Sequence, residues 1–149
     1  MAIGRGLLAG FAGTAAMTVS STLEARWRGR APSTAPARAT AKVLGIKEFE
    51  DDRAYARFSD LSHWGYGTGW GVLRGLLGAV PGLSPRAATA LHGGAVWGSA
   101  QVTLPALEIA PLSVFWGKEE VAIDAWHHAV YAAATGAAHR VLETAGARM

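Results

Sequence analysis

The sequence contains no cysteine, and only 17% of its 149 residues carry a charge. Without cysteine the chain cannot form disulfide bonds, thiolate metal sites or a cysteine nucleophile. Half of the residues are hydrophobic, which excludes an intrinsically disordered chain. The length fits a single domain.

The basic residues do not form the pattern of a nucleic-acid-binding protein. The isoelectric point is near 9.7, but the net charge is only +3. Eight Lys and Arg residues lie in one segment, 24–61, together with six acidic residues. Mixed charges of this kind are typical of a solvated connector, so we expect no nucleic-acid partner.

Four stretches of about 20 residues are nearly free of charge: 3–23, 62–80, 87–109 and 121–141. As helices, each is long enough to span a bilayer core of about 30 Å. Soluble helices normally have a charged face, and these barely have one. The pattern predicts an all-α, single-domain integral membrane bundle of four transmembrane helices. Two alternatives stay open, namely a soluble bundle rich in Ala and Gly, and a cleaved signal peptide in place of the first helix.

The polar segment 24–61 is predicted to be a loop that carries short helices. Ser33 or Thr34 can cap a helix that Gly45 ends, and "EFEDDRAYARF" predicts a second short amphipathic piece. We call the side of the bundle with loops 24–61 and 111–120 side A, and the opposite side B. Side A has nine Lys and Arg residues, whereas side B has at most four, which are Arg5, Arg86, Arg140 and Arg148. The positive-inside rule places side A in the cytoplasm.

Small residues recur at helical spacing and predict close helix packing, because they let backbones approach in lipid. The rows are Gly6, Gly10, Thr14, Thr18 and Thr22 in the first span, Gly94 and Gly98 in the third, and Ala125, Ala129, Ala133 and Ala137 in the fourth. In "LSHWGYGTGWG" the glycines alternate, which resembles a strand or an ion filter. On a helix, however, Gly67, Gly71, Gly75 and Gly78 share one face, and Gly65 and Gly69 lie on another. We interpret this stretch as packing surface.

Ionisable groups at membrane depth are candidate functional residues. Five fall in the side-A half and are the candidate metal ligands: His63, Glu108, Asp124, His127 and His128. Four further polar residues lie at membrane depth: Arg74, His92, Tyr131 and His139. Arg74 is expected to pair with His139 or a carbonyl oxygen. Three roles are open for the polar set, namely fixing helix register, binding a metal ion or haem, and moving protons or small solutes.

Four motifs in order resemble the YagU-like bacterial inner-membrane proteins: "LLAGFAGTAAMT", "LSHWGYGTGWGVLRGLLG", "LHGGAVWGSAQVTLPALEIAP" and "DAWHHAVYAAATG". His63 and His128 match recurrent histidines of that family. The resemblance implies a multi-pass helical protein of the bacterial inner membrane. It implies no reaction, because the family has no known function.

The favoured function is therefore a small, non-enzymatic, multi-pass membrane protein with a His/Asp cluster inside the bundle. The lipid bilayer is the expected partner, and association into a homo-oligomer is a further expectation. No cofactor is predicted outright. A metal- or haem-binding protein and a proton-coupled or small-solute conduit are the two alternatives.

Overall fold

The computed structural model describes residues 2–146, and Arg148, which was counted on side B, lies outside them. The described residues form five α-helices and one 3₁₀ turn at Ser113–Phe115, with no strand. The helices are α1 (Ala2–Arg28), α2 (Ala35–Leu44), α3 (Asp52–Gly78), α4 (Pro85–Ala106) and α5 (Lys118–Gly146). The prediction of an all-α fold is confirmed.

The polar segment is shorter than predicted, because α3 begins ten residues before position 62. The side chain of Asp51 accepts a hydrogen bond from the backbone N–H of Ala54 (2.6 Å) and caps this helix. "EFEDDRAYARF" is therefore not a separate piece, since most of it forms the first turns of α3. The prediction of α2 and of its stop at Gly45 (φ 70°, left-handed) is confirmed. Thr34 occupies the N-cap position, but its side chain makes no capping hydrogen bond.

The third span ends three residues earlier than predicted, at Ala106. The N–H of Ile109 donates to the oxygen of Leu104 and that of Glu108 to the oxygen of Pro105, both at 2.9 Å. This pair of bonds is a Schellman motif, which places its left-handed residue at Glu108 (φ 52°). Glu108 therefore lies in the connection after the helix.

Helices α1 and α3 cross in direct backbone contact. A methyl group on Gly71 would lie 2.2 Å from the oxygen of Gly6 and 2.7 Å from the Cα of Gly10. Around Gly65 and Gly69, in contrast, there is no atom of another element within 4 Å. The prediction of two glycine faces is confirmed, because only glycine lets the two backbones approach this closely.

Helix α5 packs against two helices. One of its faces contacts α1, and an adjacent face contacts α4. Gly13 of α1 lies against Tyr131 and Thr135, and Gly136 of α5 lies against Thr89 of α4. The other two small-residue rows make no such contact: nothing lies within 4 Å of a methyl group built on Gly94 or Gly98. The Ala129–Ala137 row lines an open groove of about 600 Å³ between α4 and α5.

Large apolar side chains face outward, and the interior is small or polar. Seven exposed large hydrophobic residues lie on α1 alone: Ile3, Leu7, Leu8, Phe11, Val19, Leu23 and Trp27. The largest fully buried side chains are all polar or hydroxyl-bearing: Arg74, Tyr131, His92, His139, Thr14 and Thr135. Soluble proteins show the opposite arrangement. Among the helices of residues 2–146, α1 alone is both long and apolar enough to be a candidate membrane span, so the prediction of four transmembrane helices is not confirmed.

Candidate functional site

The five predicted metal ligands do not converge. Within residues 2–146 no three His, Asp or Glu side chains lie close enough to hold one ion. The five side chains therefore do not form the expected common metal site. They make separate contacts at four places: one for His63, one for Glu108, one shared by Asp124 and His128, and one for His127. The first reason is the rotation of α3 and α5, which directs their side chains toward different neighbouring helices. The second is the length of α4, which ends before Glu108.

Glu108 is the most distant of the five, because α4 ends before it. Its carboxylate accepts a hydrogen bond from Lys42 Nζ on α2 (2.7 Å), and its side chain is 83% exposed. The hydrogen bond and positive charge of Lys42 lower the pKa of Glu108. Glu108 thus ties α2 to the end of α4 and has no place in the bundle interior.

Asp124 and His128 lie on the α4 side of α5. Asp124 Oδ2 accepts a hydrogen bond from Trp97 Nε1 (2.8 Å) and one from Gln101 Nε2 (3.4 Å). His128 Nδ1 donates to the backbone oxygen of Asp124 (2.8 Å), and its ring lines the α4–α5 groove. The bonds from Trp97 and Gln101 join α4 to α5, whereas the bond of His128 lies within α5.

His63 and His127 are bound by hydroxyl groups of α1. Thr18 Oγ1 donates to the oxygen of Thr14 (2.7 Å) and lies 2.8 Å from His63 Nε2. Since a hydroxyl has one proton, His63 Nε2 must be the donor in the second contact. His127 Nδ1 lies 2.9 Å from Ser20 Oγ, two residues after Thr18 and about half a turn closer to side A. The two histidines therefore face α1 from different helices.

Glu24 was not among the predicted residues, and it lies at the side-A end of the site. Arg30 Nε donates to its carboxylate at 3.0 Å and Arg28 Nη1 at 3.2 Å, while His127 Nε2 is 3.6 Å away. The hydrogen bonds from Arg30 outweigh the opposing effect of burial and, with Arg28, lower the pKa of Glu24 from 4.5 to about 2. Glu24 is therefore a carboxylate at neutral pH. Its position, immediately after the first charge-free stretch, is the sequence signal that points to it.

Buried polar side chains of α5 form a continuous row that we call the polar column: His127, Tyr131, Thr135 and His139. They follow each other at every fourth residue, so they lie on one face and extend over about 18 Å. Each is at most 6% exposed. The Tyr131 hydroxyl donates to the oxygen of Gly67 on α3 (2.6 Å), which it reaches because glycine leaves that backbone open.

At the side-B end the column meets two further buried basic residues. Arg74 and His92 are both 0% exposed. His92 Nε2 donates to the oxygen of Trp70 (3.1 Å), one turn before Arg74 on α3, and its ring packs 5.5 Å from that of Tyr131. We call Arg74, His92 and His139 the basic cluster. A carboxylate oxygen of Glu143 lies 3.4 Å from His139 Nδ1. Glu143 was not among the predicted residues, although the spacing of four residues places it on the same helix face as His139.

Most of the interior polar atoms that lack a hydrogen-bond partner belong to the column and the basic cluster. Among the described residues they are Arg74 Nε and Nη1, His92 Nδ1, His127 Nε2, Thr135 Oγ1, and both ring nitrogens of His139. Buried polar groups in folded proteins are nearly always paired with protein or water. A row of such atoms is suited to holding exchangeable water or ions.

No protein family, curated protein or solved structure matches the chain. The geometry of the described residues therefore carries the functional argument.

Proposed function

We propose that the protein is a multi-pass bacterial inner-membrane protein in which α1, α3, α4 and α5 cross the bilayer. The outward-facing apolar side chains and the polar interior support this proposal, because lipid is an apolar solvent and ionisable groups at membrane depth face the bundle interior. Helices α3, α4 and α5 are less apolar than α1, which alone is a candidate span by composition. Their lengths of 27, 22 and 29 residues give about 33–44 Å, which exceeds the thickness of the bilayer core.

Two features of the ends support the orientation with side A in the cytoplasm. Eight Lys and Arg residues lie in segment 24–61, which comprises the last turn of α1, α2 and the first turns of α3, as the positive-inside rule requires of the cytoplasmic side. The rings of Trp27 and Phe115 are exposed at the side-A helix ends, where aromatic side chains meet lipid headgroups.

We further propose that the polar column moves protons between the two sides. The observation that carries this proposal is the unbroken row His127, Tyr131, Thr135 and His139, which is buried from end to end. Imidazole and hydroxyl groups both accept and donate protons, and one turn of helix separates neighbours. Water can occupy the gaps, since several of these atoms lack a protein partner.

A carboxylate lies at each end of the column. Glu24 is 3.6 Å from His127, and Glu143 is 3.4 Å from His139. A carboxylate can accept and release a proton, so each end of the row has a second proton-carrying group beside its imidazole. A set of side chains that only fixed helix register would need no such groups at its two ends, and its polar atoms would be fully paired.

The membrane placement is tested by labelling single cysteines, which the cysteine-free chain allows directly. Val43→Cys on α2 and Val80→Cys after α3 replace the same exposed residue type on opposite sides. A membrane-impermeant maleimide added to spheroplasts should label Val80→Cys, and should label Val43→Cys only after the membranes are broken. The opposite pattern would invert the orientation. Recovery of both proteins in the soluble fraction would contradict the membrane proposal.

Proton movement is tested in liposomes that contain a pH-sensitive dye and carry a pH gradient. Purified wild type should dissipate the gradient faster than protein-free liposomes. His127→Gln should lose most of this flux, because it removes a titratable group from the column. His128→Gln is the matched control, since the adjacent histidine faces the groove, and it should retain the flux. Equal flux in both variants, or none in the wild type, would refute the proposal.

A further inference from the structure

The groove between α4 and α5 stays open in the described part of the chain. Its volume is about 600 Å³, and between its two ends the lining residues are all Ala, Gly or Thr. Gly94 on α4 and Ala133 and Ala137 on α5 are exposed along it. Small side chains on both helices therefore leave a long apolar depression, which faces lipid if α4 and α5 cross the bilayer.

Two arginines lie at the same level at the side-B end of this groove. Gly136 of α5 lies against Thr89 of α4, which fixes how the two antiparallel helices are aligned. Arg86 is three residues before Thr89 and Arg140 is four residues after Gly136, so both lie about one turn closer to side B. Both arginines line the groove.

The length of the groove matches one leaflet of a bilayer. Trp97 and His128 line its opposite end, eleven residues from Arg86 along α4 and twelve from Arg140 along α5. At 1.5 Å per residue these distances are about 17–18 Å. One leaflet supplies about half of the 30 Å hydrocarbon core, or about 15 Å. An acyl chain that starts at the level of the arginines therefore fits along the groove.

The side-B end of the groove is positively charged. Arg86 and Arg140 are exposed, and neither forms an ion pair with a carboxylate of residues 2–146. Glu143, three residues after Arg140, lies against His139 instead. A guanidinium binds phosphate oxygens through charge-assisted hydrogen bonds. Two guanidiniums above an apolar groove are complementary to an anionic headgroup above an acyl chain.

A second copy of the chain is a less suitable occupant of the groove. Two copies in one membrane have the same topology, so a two-fold axis normal to the bilayer would pair their grooves at equal depth. This pairing would bring four guanidiniums together at the side-B end, and like charges repel. An anionic lipid is attracted by the same charges.

We propose that the groove binds one anionic phospholipid of the side-B leaflet. Its phosphate group lies between Arg86 and Arg140, and one of its acyl chains lies along Ala133 and Ala137. This proposal rests on the proposed membrane placement of α4 and α5, and it does not require proton movement.

Binding is tested by native mass spectrometry of the full chain in detergent, titrated with phosphatidylglycerol or with phosphatidylcholine of the same acyl chains. Wild type should bind one phosphatidylglycerol more tightly than phosphatidylcholine. The double variant Arg86→Gln with Arg140→Gln should bind phosphatidylglycerol about 30-fold more weakly, or about fivefold for each arginine. The matched control is Arg53→Gln with Arg57→Gln, which removes two exposed arginines outside the groove and should bind like wild type.

A second pair of variants tests the acyl-chain part of the site while both arginines stay in place. Ala133→Leu fills the groove from its exposed side and should weaken phosphatidylglycerol binding. Ala122→Leu makes the same change at an exposed position of α5 that does not line the groove, and it should have no effect. Glycerol phosphate, which has the headgroup charge without acyl chains, should not displace the lipid.

Three results would overturn the proposal. The first is equal affinity of wild type for the two lipids, and the second is equal phosphatidylglycerol affinity in wild type and the Arg86/Arg140 double variant. The third is cross-linking of Ala133→Cys between copies in membranes, which would show that a second copy fills the groove. Each would leave the membrane placement standing, because that placement is tested separately by recovery of the protein in the membrane fraction.

Discussion

The contact between α1 and α3 makes a sharp prediction for Gly71→Ala. The added methyl group would lie 2.2 Å from the oxygen of Gly6, whereas ordinary contact begins at 3.4 Å, so the two helices must separate by about 1 Å. The obstructing atoms are backbone and cannot rotate away. Forcing extra volume into a packed interface costs about 1–3 kcal/mol. The melting temperature in detergent should therefore fall.

Gly69→Ala is the matched control on the same helix. No atom of another element lies within 4 Å of its added methyl group, so the substitution only removes a poor helix former. It should stabilise α3 by about 0.5–1 kcal/mol. The two variants should differ by about 2–4 kcal/mol, or roughly 5 °C or more in melting temperature measured by tryptophan fluorescence. Equal melting temperatures would show that α1 and α3 do not cross at Gly71.

Two further predictions concern single carboxylates. The folded pKa of Glu24 is lowered to about 2, so its contribution to stability is present above about pH 4.5 and is lost as the pH falls toward 2. Glu24→Gln should therefore lower the melting temperature at pH 7 but not at pH 2. Glu48→Gln, at an exposed glutamate, is the control and should show no such pH-dependent effect. If wild type and Glu24→Gln differ in melting temperature by the same amount at both pH values, the pairing of Glu24 with Arg30 and Arg28 is contradicted. Glu108 adopts a left-handed backbone (φ 52°) that costs a non-glycine residue about 1 kcal/mol. Glu108→Gly loses the exposed ion pair with Lys42 but removes the backbone strain, so it should raise the melting temperature. Glu108→Ala loses the ion pair and keeps the strain, so it should lower the melting temperature. A lower melting temperature for both variants would show that the ion pair outweighs the strain.

The packing rows show how far helical geometry alone can predict contacts. The face formed by Gly67, Gly71 and Gly75 followed from the angle of 100° per residue, and it is the face that meets α1. The same spacing rule predicted contacts for Gly94 and Gly98, which have no neighbour within 4 Å. Spacing identifies which residues share a face, but it carries no information on whether another helix covers that face.

The polar residues of α5 show the same limit at the candidate site. Asp124, His127 and His128 fall within one broad stripe by helical angle. The bundle divides this stripe, so that His127 faces α1 and joins the buried column, while Asp124 and His128 face α4. A difference of one residue rotates a side chain by 100°, which is enough to exchange one neighbouring helix for another.

The sequence by itself determined the all-α fold, the four long helices, the α2 stop at Gly45 and the two glycine faces of α3. These follow from local rules, since hydrophobic runs, caps and helical periodicity act within a few turns. Only the tertiary structure decided that Glu108 pairs with Lys42 outside the bundle interior. The tertiary structure also placed Glu24 and Glu143 at the ends of the polar column and buried Arg74 beside His139. These features depend on how helices rotate and cross, which is set by packing between residues distant in the chain.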